Sequence, residues 1–129
     1  MGNANADIVR RAYEFFAAGD MENLQNLWTD DIAWHIGGTN RVSGDHEGAA
    51  GVMAMFGELL GASEGTFRAE LQSVVADDER GFSLHRATAS KGGDDYELWT
   101  VLGYRFRDGK VSEIWSFDYD QAVSDELFA

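Results

Sequence analysis

A histidine and a carboxylate held in one partly desolvated cavity can tune each other toward neutral pH, as general acid–base catalysis requires. His85 and Asp118 are the candidates for that role. His85 belongs to a run in which Ser83, His85, Ala87 and Ala89 alternate to one side of a strand. Asp118 ends a run in which Ile114, Ser116 and Asp118 share one side and Trp115, Phe117 and Tyr119 the other. The competing role for His85 is a structural hydrogen bond within the sheet. In Ile32-Ala33-Trp34-His35-Ile36, Trp34 is in register with Ile32 and Ile36 and is expected in a cavity wall. His35 would then sit at the mouth or support the next loop, unless Gly37-Gly38 redirects it. His46 reads as a solvated loop residue, and Tyr13 either offers its hydroxyl to the cavity or is a partly buried helix tyrosine.

Other chemistries lack their residues. The three histidines have no metal-ligand spacing, so no metal site is expected. With no cysteine, disulfides, thiolate sites and a cysteine nucleophile are excluded. No phosphate-binding glycine loop or serine elbow is present, and no cofactor is expected. A formal net charge of −13 over 129 residues repels phosphate backbones and anionic lipid, so neither nucleic acid nor membrane is an expected partner. The acidity fits either a salt-adapted source or an ordinary acidic protein. The first residues show no basic stretch followed by a long apolar run, and the expectation is a soluble, cytoplasmic protein.

The length and 44% hydrophobic content suit a single domain over residues 1–129. Ile8, Ala12, Phe15 and Phe16 mark a first helix that ends at Gly19, and Asp20 is an N-cap for a second carrying Met21, Leu24, Leu27 and Trp28. A strand is expected at Ile32–Ile36 and a very short one at Arg41–Ser43, then a largely buried third helix over Ala49–Leu60 that includes Phe56. Four β-type runs follow: Phe67–Ala76, Gly81–Ser90, Tyr96–Phe106 and Val111–Tyr119. Gly92-Gly93 and Asp108-Gly109 are hairpin signals. Helices first and a meander afterwards predict an α+β domain, with three N-terminal helices covering one face of a curved antiparallel sheet. Gln121–Ala129 is expected as a short helix or tail.

In this order, Phe15-Phe16-Ala17-Ala18-Gly19-Asp20, Thr29-Asp30-Asp31-Ile32-Ala33-Trp34-His35, Ser43-Gly44 and Asp108-Gly109-Lys110-Val111-Ser112-Glu113-Ile114-Trp115 resemble the SnoaL-like group of the nuclear transport factor 2-like superfamily. The resemblance implies a cystatin-like, cone-shaped roll with a hydrophobic pocket. It places Ile114, Ser116 and Asp118 toward the cone, with Leu98, Thr100 and Leu102 on the neighbouring strand and His85 near Asp118. The three polar positions of ketosteroid isomerases fall on Ala12, near Ile36 and near Leu102, and are apolar here. SnoaL-type cyclases carry an acidic base after the last-strand tryptophan, where Trp115 is followed by Ser116, and Asp118 is the candidate replacement.

The implied function is binding of a small hydrophobic metabolite, with Tyr13, Trp34, His35, Ile36, Phe56, Leu98, Thr100, Leu102 and Ser116 as contacts. Catalysis, if present, would be cofactor-independent acid–base chemistry of the isomerase, cyclase or hydratase type, with His85 or Asp118 as base. The alternative is a non-catalytic binding or dimerisation module. Trp99, Trp115 and Phe117 on the opposite face would form a large apolar patch, which predicts a homodimer formed sheet to sheet.

Overall fold

The computed structural model describes residues 3–129. Helices α1 (Asn3–Ala18) and α2 (Met21–Gln25) precede β1 (Trp28–Ile36), β2 (Gly44–Glu47) and α3 (Gly48–Ala62). Strands β3 (Arg68–Ala76), β4 (Arg80–Lys91), β5 (Asp94–Arg107) and β6 (Lys110–Asp118) follow, and α4 (Gln121–Leu127) comes last. This is the expected α+β domain, with one six-stranded sheet in the order β2-β1-β6-β5-β4-β3. Four of its pairings are antiparallel, and β1 lies parallel to β6. A parallel neighbour needs a long crossover, which the chain from β2 to β5 supplies.

The two hairpins form as their turn residues require. Lys91 pairs with Asp94 around Gly92 and Gly93, at φ 60° and 85°; Arg107 pairs with Lys110 around Asp108 and Gly109, at φ 54° and 77°. Positive φ at both central positions matches the right-handed twist of the flanking strands. Register shifts in the β1–β6, β3–β4 and β5–β6 pairings bend the sheet. The core lies between its inner face and the helices, where Val9, Ile32, Val52, Val111 and Leu127 are buried. Asn5 ties α1 to the β3–β4 turn by donating to the carbonyls of Asp77 (2.9 Å) and Asp78 (3.2 Å).

Three local expectations need correction. Asp20 does cap α2, accepting from the Asn23 amide at 3.3 Å, but the helix stops at Gln25 although the helical spacing runs on to Trp28. The Val111 amide donates to the Leu27 carbonyl at 2.9 Å, and Trp28 pairs opposite Val111 as the first residue of β1. Sheet pairing with a distant strand therefore overrides local periodicity. The strand expected at Arg41–Ser43 is a turn, in which the Asn40 side chain accepts from the Val42 amide at 2.9 Å, and pairing begins at Gly44. Finally, α3 buries Val52, Met55 and Phe56 but leaves Ala54, Glu58 and Leu60 exposed, so one side of it meets solvent.

Helix α4 closes the segment after β1. Its Asp125 carboxylate accepts from the Thr39 amide at 2.9 Å and from the Asn40 side chain at 2.7 Å. Gly38, at φ 84°, lies directly beneath: a Cβ there would collide with the Gln121 side chain and the Asp125 carboxylate. A Cβ on Gly37 meets nothing. Gly38→Ala should therefore destabilise the fold by about 2 kcal/mol or more, from the left-handed backbone together with the collision. Gly37→Ala should change it by less than about 0.5 kcal/mol. Urea denaturation of the two variants checks this, and equal losses would contradict it.

Candidate functional site

Period-two alternation on β1, β4, β5 and β6 sends one set of side chains toward α1 and α3, where they enclose a cavity of about 130 Å³. Most of its wall is apolar, with Phe16, Trp34, Phe56, Leu98, Leu102 and Ile114 among the contributors. Phe56 packs edge-on against Phe16, Trp28 and Trp34 at centroid distances of 5.2, 6.1 and 5.6 Å, which joins α3 to α1 and β1.

The polar groups are few and ordered by strand register. His85 on β4 lies opposite Thr100 on β5, which lies opposite Asp118 on β6. Two interstrand steps put His85 and Asp118 roughly 10 Å apart along this row. The Thr100 hydroxyl donates to Asp118 at 2.7 Å. One row along, the Trp34 indole donates to the Ser116 hydroxyl at 2.8 Å, which ties β1 to β6 at the wall.

His85 is the member of the row that α1 contacts, through Tyr13. Its Nδ1 is 2.5 Å from the Tyr13 hydroxyl, which is 3.0 Å from the Ser83 hydroxyl, itself 2.8 Å from the Tyr104 hydroxyl. These contacts join α1 to β4 and β5. Burial dominates their ionisation: it lowers the His85 pKa to about 4, raises that of Tyr13 to about 12 and drives that of Tyr104 well above its usual value. At neutral pH all four groups are uncharged, and among the described residues Asp118 is the one acidic side chain lining the cavity.

Of the sequence-derived candidates, Tyr13, Trp34, Ile36, Phe56, His85, Leu98, Thr100, Leu102, Ser116 and Asp118 all line this one cavity. His85 and Asp118 share it without touching, since Thr100 stands between them. Ala12, Ile36 and Leu102, the apolar replacements for isomerase positions, also line it. Tyr104 and Ser83 were not among the candidates. Tyr104 shares strand parity with Leu98, Thr100 and Leu102 and was accessible to the same alternation; Ser83 acts from behind the wall, 1% exposed.

His35 lies on the opposite face of the sheet, and this removes it from the set of cavity contacts. Pairing with β6 is regular from Ala33 to Ile36, so Gly37-Gly38 does not turn it inward. Its Nδ1 is 2.7 Å from Asp45 on β2 and its Nε2 2.6 Å from Glu113 on β6. Both ring nitrogens must donate to satisfy two carboxylates, which requires imidazolium. The bond to Asp45 is the main influence raising the His35 pKa, with burial opposing it and Glu113 adding to it. His46 is in β2 and only half exposed, and its Nε2 donates to the Val42 carbonyl at 2.8 Å.

The two histidines drive stability in opposite directions with pH. Unfolded His85 binds a proton near pH 6.5 and the folded residue only near pH 4, so acid favours the unfolded chain. Its contribution is complete above about pH 6.5, and about 3 kcal/mol is lost as pH falls to 4. His35, with a raised folded value, contributes fully below about pH 6.5 and loses that contribution as pH rises through its folded value. Chemical denaturation from pH 4 to 9 should show a shallower acid limb for His85→Gln than for wild type, and a shallower alkaline limb for His35→Gln. Parallel curves would refute the assignments.

Comparisons with known proteins agree with this architecture. Bal32a, from a soil-derived mobile gene cassette, is 36% identical with a TM-score of 0.93, over 99% of this chain and 98% of that one. A protein of unknown function with a cystatin-like fold from Xanthomonas campestris is 26% identical with a TM-score of 0.90, over 100% and 99%. An uncharacterized protein of Mycobacterium tuberculosis is 25% identical over 128 residues, 98% of each chain. The SnoaL-like domain profile matches residues 9–114, and the chain belongs to the SnoaL-like domain family.

Proposed function

We propose that this protein binds a small hydrophobic metabolite in the cone and carries out cofactor-independent acid–base chemistry on it, of the isomerase, cyclase or hydratase type. The observation that supports this reading best is the polarity of the cavity: an apolar, aromatic-rich wall is crossed by one polar row, His85, Thr100 and Asp118. Apolar walls supply binding energy, and a few convergent polar groups orient the ligand. Asp118, with Thr100 donating to one carboxylate oxygen, serves as the proton acceptor. Neutral His85, with its Nδ1 engaged by the Tyr13 hydroxyl, acts at the other end of the ligand as a hydrogen-bonding group.

A second reading, ligand binding without turnover, is favoured by one specific feature. Ala12, Ile36 and Leu102 bring only hydrocarbon to the positions where isomerases keep polar groups.

Mass spectrometry of hydrophobic molecules that co-purify with the protein, followed by turnover assays, separates the two. Under the catalytic reading Asp118→Asn should lower kcat by about 10²–10⁴-fold, and His85→Ala should reduce it too. Ligand retained by the wild type with no chemical change would support the binding module.

The outer face carries the proposed homodimer contact. Val75, Phe82, Gly103, Trp115 and His35 form one cross-strand row there. Phe82 and Phe117 are 51% and 56% exposed, and Trp99 stacks on exposed Tyr119 at 6.4 Å. Sedimentation should give twice the chain mass at micromolar concentration, and Phe117→Glu should shift it toward the monomer; a monomeric wild type would refute the contact.

A further inference from the structure

We infer that Asp118 is a charge filter at the mouth of the cone: the site takes an apolar molecule carrying a cationic or neutral hydrogen-bond donor, such as an amine or an alcohol, and refuses carboxylic acids and phosphate esters. The inference deepens the binding reading above and rests on it. It holds whether or not turnover follows.

The position of Asp118 follows from where two strands stop. β1 ends at Ile36, opposite Ser116, and the chain then passes into Gly37 and Gly38. β6 runs on to Asp118, with β5 as its neighbour on the other side. The sheet is therefore one strand short beside Phe117 and Asp118, and a groove of about 400 Å³ lies there. Its lining takes in both faces of the sheet, with His35, Trp115 and Phe117 from the outer and Ile36, Ser116 and Asp118 from the inner. The last three also line the cone, so groove and cone meet at these residues.

The charges around this junction favour one sign. Asp118 is the sole charged side chain lining the cone, and among the described residues no lysine or arginine lines either space. The one cation of the groove, His35, is engaged by two carboxylates, Asp45 and Glu113, so that cluster is net negative. Arg105 lies over the Trp115 ring, 6.0 Å from its centroid, and does not line the groove. At the other end of the row His85 and Tyr13 are uncharged at neutral pH. A ligand's carboxylate would find no free countercharge on the wall, and burying an unpaired charge is costly.

Asp118 is also available to a donor. Thr100 donates to its Oδ1, and Oδ2 has no hydrogen-bond partner among the described residues. No wholly buried side-chain oxygen there lacks a partner, so Oδ2 is accessible at the junction. An ammonium or hydroxyl placed beside it donates to Oδ2 while the apolar frame fills the cone. The groove leaves that polar group in touch with water, which limits the desolvation cost of an ion pair. Under the acid–base reading the same contact aims a ligand proton at Asp118.

Three naphthalene probes of matched shape test the filter at pH 7: 1-naphthylmethylamine, 1-naphthalenemethanol and 1-naphthoic acid, which are a cation, a neutral donor and an anion. Titration calorimetry of the wild type should rank the amine and the alcohol above the acid, with the amine about tenfold tighter than the acid or more. Asp118→Asn keeps an acceptor for Thr100. It should bring amine and acid within about threefold of each other and change the affinity for the alcohol by less than about threefold. Asp30→Asn removes the same charge from an exposed residue that lines neither space, and should leave the wild-type ranking intact. An acid that binds as tightly as the amine, or an equal effect of the two substitutions, overturns the filter. Binding of the alcohol without the charge ranking sinks the filter alone and leaves the hydrophobic-ligand reading standing. Binding of none of the three sinks both.

Discussion

Four polar side chains between a helix and a sheet, three of them buried and Tyr13 half-buried, have to satisfy one another, and this requirement organises the His85 end of the cavity. Tyr13 comes from α1, Ser83 and His85 from β4, and Tyr104 from β5. The two contacts of Tyr13, 3.0 and 2.5 Å long, tie α1 to β4, and the 2.8 Å contact of Ser83 with Tyr104 extends the network to β5. If one partner were lost, a neighbouring group would be left without that hydrogen bond, which costs more than the bond itself was worth. The same network keeps a histidine uncharged at neutral pH. An apolar cavity can hold a polar anchor at little electrostatic cost on those terms.

The two faces of the sheet handle histidine in contrasting ways. On the inner face, burial without a countercharge drives His85 toward the neutral form. On the outer face, two carboxylates on flanking strands hold His35 as a cation. Three cross-strand steps, from β1 through β6 and β5 to β4, and the parity of a pleat separate these environments. In an acidic protein with 23 Asp and Glu residues, carboxylates are plentiful on the solvent side, and only Asp118 is brought to the cavity row beside Thr100.

Much of the fold was legible because its signals are local. Hairpin turns at Gly92-Gly93 and Asp108-Gly109, the Asp20 cap and the regular alternation of β4 each depend on a few neighbouring residues. Alternation also sorted the cavity side chains, from Trp34 to Ser116, since side-chain parity survives sheet curvature. What failed was set by remote pairing. Trp28 obeys a helical period, yet belongs to β1 because Val111, far along the chain, pairs with it. The strand beside Arg41–Ser43 moved to Gly44 because an Asn40 turn precedes it.

From the sequence alone came the order of elements, the inward sides of the strands that carry His85, Thr100 and Asp118, and the exclusion of thiol chemistry, because composition and period two are properties of the chain itself. The tertiary structure decided the rest. It made β1 parallel to β6, separated His35 from the cavity, kept His85 and Asp118 apart with Thr100 between them, and linked His85 through Tyr13 and Ser83 to Tyr104. Each of these depends on which strands become neighbours and how a helix lies across them. Contacts such as Tyr13 with His85, separated by 72 residues, leave no trace in local periodicity.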